Sequence, residues 1–122
     1  MINREIDIPT SAGSMNTFIT HPEEEGPHPV VLFLMDAPGK RAELHDMANR
    51  LATAGYYVML PNLYYRRVRE FKIQESGRDA MHELMASLSN AMVCENVRSL
   101  IEFADQDAAA RDGKLGCVGY CM

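Results

Sequence analysis

Residues 113–122 read Gly-Lys-Leu-Gly-Cys-Val-Gly-Tyr-Cys-Met, and the rest of the chain is interpreted outward from them. Leu115 to Tyr120 has the composition of a short strand, and it leads directly into Cys121. A Gly-x-nucleophile sequence at a strand end is the first half of a nucleophile elbow, in which the side chain stands on a strained turn between a strand and a helix. Glycine permits this because it has no Cβ to collide with the neighbouring backbone. The stretch therefore predicts a nucleophilic cysteine at Cys121.

The composition and charge of the chain argue against several classes of function. The chain has 122 residues, a net charge of −5 and 47% hydrophobic residues, which argues against nucleic acid or an anionic membrane as partner. No apolar run approaches the ~20 residues that span a bilayer, and we see no signal-peptide pattern at the N-terminus. Three cysteines without disulfide or zinc-site spacing indicate a cytoplasmic protein without a metal site. Cys94 and Cys117 are expected to be buried structural cysteines.

Alternation of apolar and polar residues predicts an opening antiparallel hairpin over residues 2–8 and 14–20, with turn residues at 9–13. The continuous apolar run over residues 30–35 is typical of a strand buried on both faces of a parallel sheet. Asp36 follows this strand directly, at the edge where open α/β sheets bind their ligands.

Helical spacing of apolar residues over 41–54 predicts an amphipathic helix, which Gly55 would end. Residues 56–60 form the next predicted strand, and 63–77 a surface loop over the carboxyl edge of the sheet. The apolar spacing between residues 81 and 104 fits two helices, or one helix bent near residues 89–90, equally well. A turn at 112–113 then precedes the last strand. This order predicts an α/β fold with a mostly parallel sheet, helices on both faces and an N-terminal antiparallel hairpin.

Three stretches together carry a family resemblance. The elbow at residues 113–122 is the most specific, residues 61–66 read Pro-Asn-Leu-Tyr-Tyr-Arg, and residues 29–39 contain the strand and turn with Asp36. In order and spacing the chain resembles the dienelactone hydrolase family of α/β-hydrolases, which has a Pro-Asp-Leu-Tyr-x-Arg segment. That family usually carries a glutamate where this chain has Asp36, and the glutamate contacts the resting thiol. Asp36 is one methylene shorter.

The resemblance implies a hydrolase that cleaves a small ester or lactone, one that bears a carboxylate, through a cysteine acyl-enzyme. Cys121 would be the nucleophile, and the backbone N–H groups of Ala37 and Met122 would form the oxyanion hole. Arg66 would bind the substrate carboxylate with its bidentate guanidinium. Tyr64 is a candidate for lining the pocket, with Tyr65, although tyrosines beside a loop more often only pack it down. The resemblance implies no metal and no organic cofactor.

The family completes its triad with an aspartate and a histidine that follow the nucleophile in the chain. The histidines of this chain all precede the elbow and are not assigned to a triad: His21, His28, His45 and His82. We therefore expect residues 1–122 to be the N-terminal half of a single domain of roughly 200–250 residues.

Alternatives remain open at several of these positions. Asp36 could serve only to cap its own turn, and Arg67 or Arg69 could take the part given to Arg66. A thiol-redox or sensing protein would expose the same cysteine without cleaving an ester. A non-catalytic binding module would keep only the fold. A nucleotide-binding Rossmann domain is disfavoured because residues 116–119 lack the Gly-x-Gly-x-x-Gly pattern.

Overall fold

The computed structural model of the chain describes residues 1–24 and 26–119. Its elements occur in the order β1 (Ile2–Thr10), β2 (Gly13–His21), β3 (His28–Leu34), α1 (Ala42–Thr53), β4 (Tyr57–Pro61), α2 (Ile73–Ala86), α3 (Asn90–Asp105) and β5 (Ala110–Gly119). The strands form one sheet in the order β1-β2-β4-β3-β5. The predicted succession of a hairpin followed by alternating strands and helices is confirmed.

The sheet is antiparallel at one end and parallel at the other. β1 and β2 form the predicted hairpin, with Ile2 opposite His21 and Thr10 opposite Gly13, and β2 then runs antiparallel to β4. β3 lies between β4 and β5 and pairs in parallel with both. The carboxyl ends of these three strands therefore share one edge, so the loops that follow β3 and β4 lie side by side.

The hydrophobic core lies on both faces of the sheet. Successive residues of β3 and β4 alternate between the faces, as the continuous apolar runs predicted. Helices α1 and α2 cover the face that carries Phe18, Val31, Phe33, Val58 and Leu60. Helix α3 covers the opposite face, which carries Ile19, Val30, Leu32, Tyr57 and Met59.

The helix ends follow local signals in the sequence. Gly55 ends α1 with a φ of +104°, a conformation that glycine adopts without strain. The two open readings of residues 81–104 resolve into two helices. Ser89 begins the second one, because its Oγ accepts a hydrogen bond of 3.2 Å from the Met92 N–H. The described helices were also compared with the length and apolar character that a membrane span requires, and none of them meets both.

Three predicted boundaries are wrong. β1 continues through Pro9, which a strand tolerates at the edge of a sheet, where the missing N–H interrupts no inner ladder. Helix α2 begins at Ile73, inside the predicted loop over 63–77, and bends at Gly77, whose φ is +85°. β5 begins at Ala110, earlier than expected, although its register against β3 shifts between Arg111 and Leu115, where the turn was expected. At Pro9, continuous pairing of β1 with β2 outweighs the local turn signal.

The expectation of buried structural cysteines is also wrong. Cys94 and Cys117 are both exposed free thiols. Cys94 lies on the outer side of α3, whose buried positions include Leu100 and Ala104. Cys117 lies on β5, the last strand of the described sheet, where no further described strand pairs with it.

Candidate active site

Four of the site residues predicted from the sequence lie within the described structure, in the loops that follow two neighbouring parallel strands. Asp36 and Ala37 follow β3, while Tyr64 and Arg66 follow β4. The last pair of the β3–β5 ladder joins Leu34 to Gly119, so β5 ends at the same edge of the sheet as β3. Tyr120, Cys121 and Met122 follow in the sequence but lie outside the described residues, and the roles of Cys121 and Met122 stay predictions.

A tight turn follows β3. The Asp36 carbonyl accepts a hydrogen bond of 3.0 Å from the Gly39 N–H, and Gly39 has a φ of +89° that favours glycine. The Ala37 N–H belongs to the same planar trans peptide as the Asp36 carbonyl, so it points in the opposite direction, out of the turn. No hydrogen bond from this N–H to a described residue is found. The turn therefore holds a backbone donor that no described residue engages.

The Asp36 side chain pairs with Arg41, which the sequence interpretation did not single out. The two guanidinium Nη atoms donate to the two carboxylate oxygens at 2.5 and 3.0 Å, and Nη1 also donates to the Gly39 carbonyl at 2.9 Å. The hydrogen bonds to Asp36 raise the pKa of Arg41 above its ordinary value, although burial opposes this. A cation shortly after the Gly39 turn was the available signal, but sequence spacing alone could not show a bidentate pair.

Tyr64 joins the loop after β4 to the loop after β3. Its hydroxyl donates a hydrogen bond of 2.7 Å to the Ala37 carbonyl, and its ring is buried with its edge against Phe71. Burial, with a further contribution from the charge of Asp36, raises the pKa of Tyr64 to about 12. The hydroxyl is therefore protonated at neutral pH and is engaged with the turn. The part of Tyr64 in lining a substrate pocket stays a prediction.

One guanidinium nitrogen of Arg66 has no hydrogen-bond partner among the described residues. Its guanidinium carbon lies 4.9 Å from the centroid of the Tyr65 ring, and its Nη2 lies 4.0 Å from a carboxylate oxygen of Glu95. Its Nη1 is buried and has no hydrogen-bond partner in the described part of the chain. Arg66 also lines a cavity of about 80 Å³ together with Tyr64 and Met92. A buried cationic donor beside a cavity can receive an anionic group.

The two alternative arginines differ from Arg66. Arg69 donates to an oxygen of Asp7 at 2.6 Å and lines a separate groove beside β1. Arg67 is exposed, although it borders the same small cavity as Arg66. Of the three, only Arg66 has a buried guanidinium nitrogen without a partner among the described residues.

The loop after β4 is held in place by a buried amide that the sequence interpretation missed. The Asn62 side chain donates to the Val68 carbonyl at 2.8 Å and to the Arg69 carbonyl at 3.2 Å, and it accepts from the Tyr64 N–H at 3.0 Å. These bonds tie both ends of the loop to one side chain. The position of Arg66 within the loop follows from them.

Two histidines, His21 and His45, stack on aromatic rings of the sheet. His21 stacks on Tyr57 with the ring centroids 5.5 Å apart, at the opposite edge of the sheet, and His28 lies beside it. His45 stacks on Phe18 at 4.2 Å, and burial lowers its pKa. In the described residues no group of three or more His, Cys, Asp or Glu side chains could hold a metal ion.

Comparison with known proteins assigns the family. The model of the dienelactone hydrolase family matches residues 15–122. The chain belongs to the dienelactone hydrolase family. A curated relative from Methylorubrum extorquens, provisionally named a carboxymethylenebutenolidase, is 26% identical over 121 residues, which are 99% of this chain and 41% of the relative. A Bradyrhizobium relative, provisionally named a 2-oxo-3-(5-oxofuran-2-ylidene)propanoate lactonase, is 25% identical over 96% of this chain and 46% of its own length.

Solved structures share the fold. A crystal structure from Klebsiella pneumoniae, provisionally named a dienelactone hydrolase, superposes with a TM-score of 0.88 at 24% identity, over 98% of this chain and 50% of that one. The predicted α/β-hydrolase fold of this dienelactone hydrolase family member is thus confirmed. The chain spans about half the length of the curated relatives that it matches.

Proposed function

We propose that the natural protein hydrolyses a small ester or lactone that bears a carboxylate, through an acyl-enzyme on Cys121. The observation that carries this proposal is the Ala37 N–H, which has no hydrogen-bond partner among the described residues and lies after β3, the neighbour of the strand that leads to Cys121 in the sequence. β3 and β5 are adjacent parallel strands, so a donor after one and a nucleophile after the other would serve a single site. Membership of the dienelactone hydrolase family supports the same chemistry.

In the first step the sulfur of Cys121 would form a bond to the substrate carbonyl carbon, and the carbonyl oxygen would become an oxyanion. The N–H groups of Ala37 and Met122 would donate to this oxyanion. Collapse of the intermediate breaks the bond to the alkoxide, which takes up the thiol proton. Water then attacks the thioester, releases the acid and returns a proton to the sulfur. A cysteine thiol has an ordinary pKa of about 8.5, so it needs a base, which in the dienelactone hydrolase family is a histidine that follows the nucleophile.

The carboxylate preference rests on Arg66. A buried guanidinium nitrogen without an acceptor is costly, and a substrate carboxylate would supply the acceptor. The name of the Bradyrhizobium relative describes a lactone that carries a propanoate, which is consistent with this substrate class. The free thiols at Cys94 and Cys117 support a reducing, cytoplasmic location.

Mass spectrometry of the full natural protein tests the proposal. After mixing with p-nitrophenyl acetate, we expect an acyl adduct on the peptide that contains Cys121. Cys121→Ala should abolish both the adduct and turnover without loss of the fold. The matched control Cys117→Ala, at a thiol on β5, should retain both. Reversible oxidation of Cys121 by hydrogen peroxide without any acyl adduct would contradict the proposal and favour a thiol-sensing protein.

A further inference from the structure

Arg41 fastens the start of α1 to the turn after β3. It occupies the N-cap position of α1, yet its side chain makes no capping hydrogen bond there. The guanidinium reaches back across the turn to both carboxylate oxygens of Asp36 and to the Gly39 carbonyl. One side chain therefore holds the first and the last residue of the turn from Asp36 to Gly39.

The Ala37 N–H is oriented by contacts on either side of it. The Gly39 N–H fixes the Asp36 carbonyl, which shares a peptide plane with the Ala37 N–H. The Tyr64 hydroxyl fixes the Ala37 carbonyl. Arg41 adds a third constraint, because it donates hydrogen bonds to both the Asp36 side chain and the Gly39 carbonyl. Removal of Arg41 would leave the Asp36 carboxylate free to rotate and would loosen the turn.

The ion pair with Arg41 occupies both oxygens of the Asp36 carboxylate. Both of its oxygens accept from Arg41, and the opposite charges compensate each other. The hydrogen bonds of both carboxylate oxygens are thus directed to Arg41, within the turn.

We propose that Arg41 is a positioning residue for the oxyanion hole, and that it holds Asp36 within the turn instead of leaving it to contact the thiol of Cys121. The effect on turnover rests on the proposed function, whereas the effect on Asp36 does not. Preorganised donors contribute to catalysis only when they point at the position of the oxyanion, so a loosened turn lowers kcat more than it changes KM.

The first test measures kinetics on the full natural protein with an ester substrate. We expect Arg41→Gln to lower kcat about tenfold while KM changes less than twofold, and Arg41→Lys to recover part of the loss. Arg50→Gln replaces an exposed arginine in the last turn of the same helix and should leave kcat unchanged. Wild-type kcat in Arg41→Gln, or an equal rise in KM, would overturn the proposal.

The second test does not depend on hydrolysis. The rate of alkylation of Cys121 by iodoacetamide is followed against pH, with peptide mass spectrometry to separate it from Cys94 and Cys117. The double variant Asp36→Asn/Arg41→Gln removes the pair without a change of net charge, so its titration midpoint should stay within about 0.5 unit of the wild type. A carboxylate in contact with the thiol raises the pKa of that thiol. A midpoint lower by about one unit or more in the double variant would therefore refute the assigned role of Asp36.

The two tests distinguish a failure of the proposed function from a failure of the role assigned to Asp36. Wild-type protein that forms no acyl adduct would reject the proposed function, and the alkylation profile would still decide whether Asp36 contacts the thiol. A double-mutant cycle on the free energy of unfolding should also show coupling between Asp36 and Arg41. Additive effects of the two single variants would contradict the paired arrangement.

Discussion

Replacement of Tyr64 by phenylalanine removes one hydroxyl and leaves the buried ring in place. The lost contact is the 2.7 Å hydrogen bond to the Ala37 carbonyl. A neutral hydrogen bond contributes ~0.5–1.5 kcal/mol, and a fully buried carbonyl left without a donor would cost up to about 3 kcal/mol. Ala37 is half-buried, so water can reach part of its surface. We expect Tyr64→Phe to lower the free energy of unfolding by about 1 kcal/mol, without a cavity contribution because the ring remains.

The pH dependence of this loss follows from the raised pKa of about 12 for Tyr64. A group whose pKa is higher in the folded protein contributes its full stability below its unfolded pKa, which is about 10 for tyrosine. The contribution disappears as the pH rises through the folded value. The deficit of Tyr64→Phe should therefore be constant between pH 6 and 9.

Urea unfolding of the full natural protein measures the effect. With a denaturant slope of about 2 kcal/mol per molar, the midpoint should fall by roughly 0.5 M. Tyr56→Phe is the matched control, since Tyr56 is 37% exposed, and its midpoint should not move. An unchanged midpoint in Tyr64→Phe, or a deficit that varies between pH 6 and 9, would refute the role given to this hydroxyl.

Two further substitutions test other charges. Arg66→Gln should raise KM for a carboxylate-bearing lactone about tenfold, the equivalent of one charged hydrogen bond, and leave KM for a neutral ester within twofold. Arg67→Gln is its control, and an equal rise for both substrates would contradict a carboxylate contact. Asp107→Asn should lower the free energy of unfolding by about 2 kcal/mol at pH 7, because it weakens the charged hydrogen bonds from Arg4 and Tyr57. Burial alone would raise the pKa of Asp107, but these bonds outweigh it and lower the pKa, so the contribution is present above about pH 4 and is lost as the pH falls through the folded value. Thermal melts at pH 7 and pH 3 should show the difference from wild type shrinking toward acid, and a constant difference would count against the assignment.

Periodicity predicted the elements whose environment is regular. The apolar runs of β3 and β4 indicated burial on both faces, and Gly55 indicated the end of α1, because one residue type decides each of these locally. Prediction failed where a distant element decided the outcome. Pro9 suggested a turn, but pairing along the full hairpin keeps it in β1. Cys117 suggested burial, but β5 is the last strand of the described sheet.

The sequence by itself determined which chemical groups follow each strand: a carboxylate and a turn after β3, tyrosines and arginines after β4, and a cysteine in sequence after β5. Only the tertiary structure decided their partners. It paired Asp36 with Arg41, directed the Tyr64 hydroxyl to Ala37 and left one nitrogen of Arg66 without an acceptor in the described chain. The physical reason is that a hydrogen bond requires both distance and direction within narrow limits. The packing of two loops at one sheet edge sets both quantities, and the spacing of residues along the chain does not encode them.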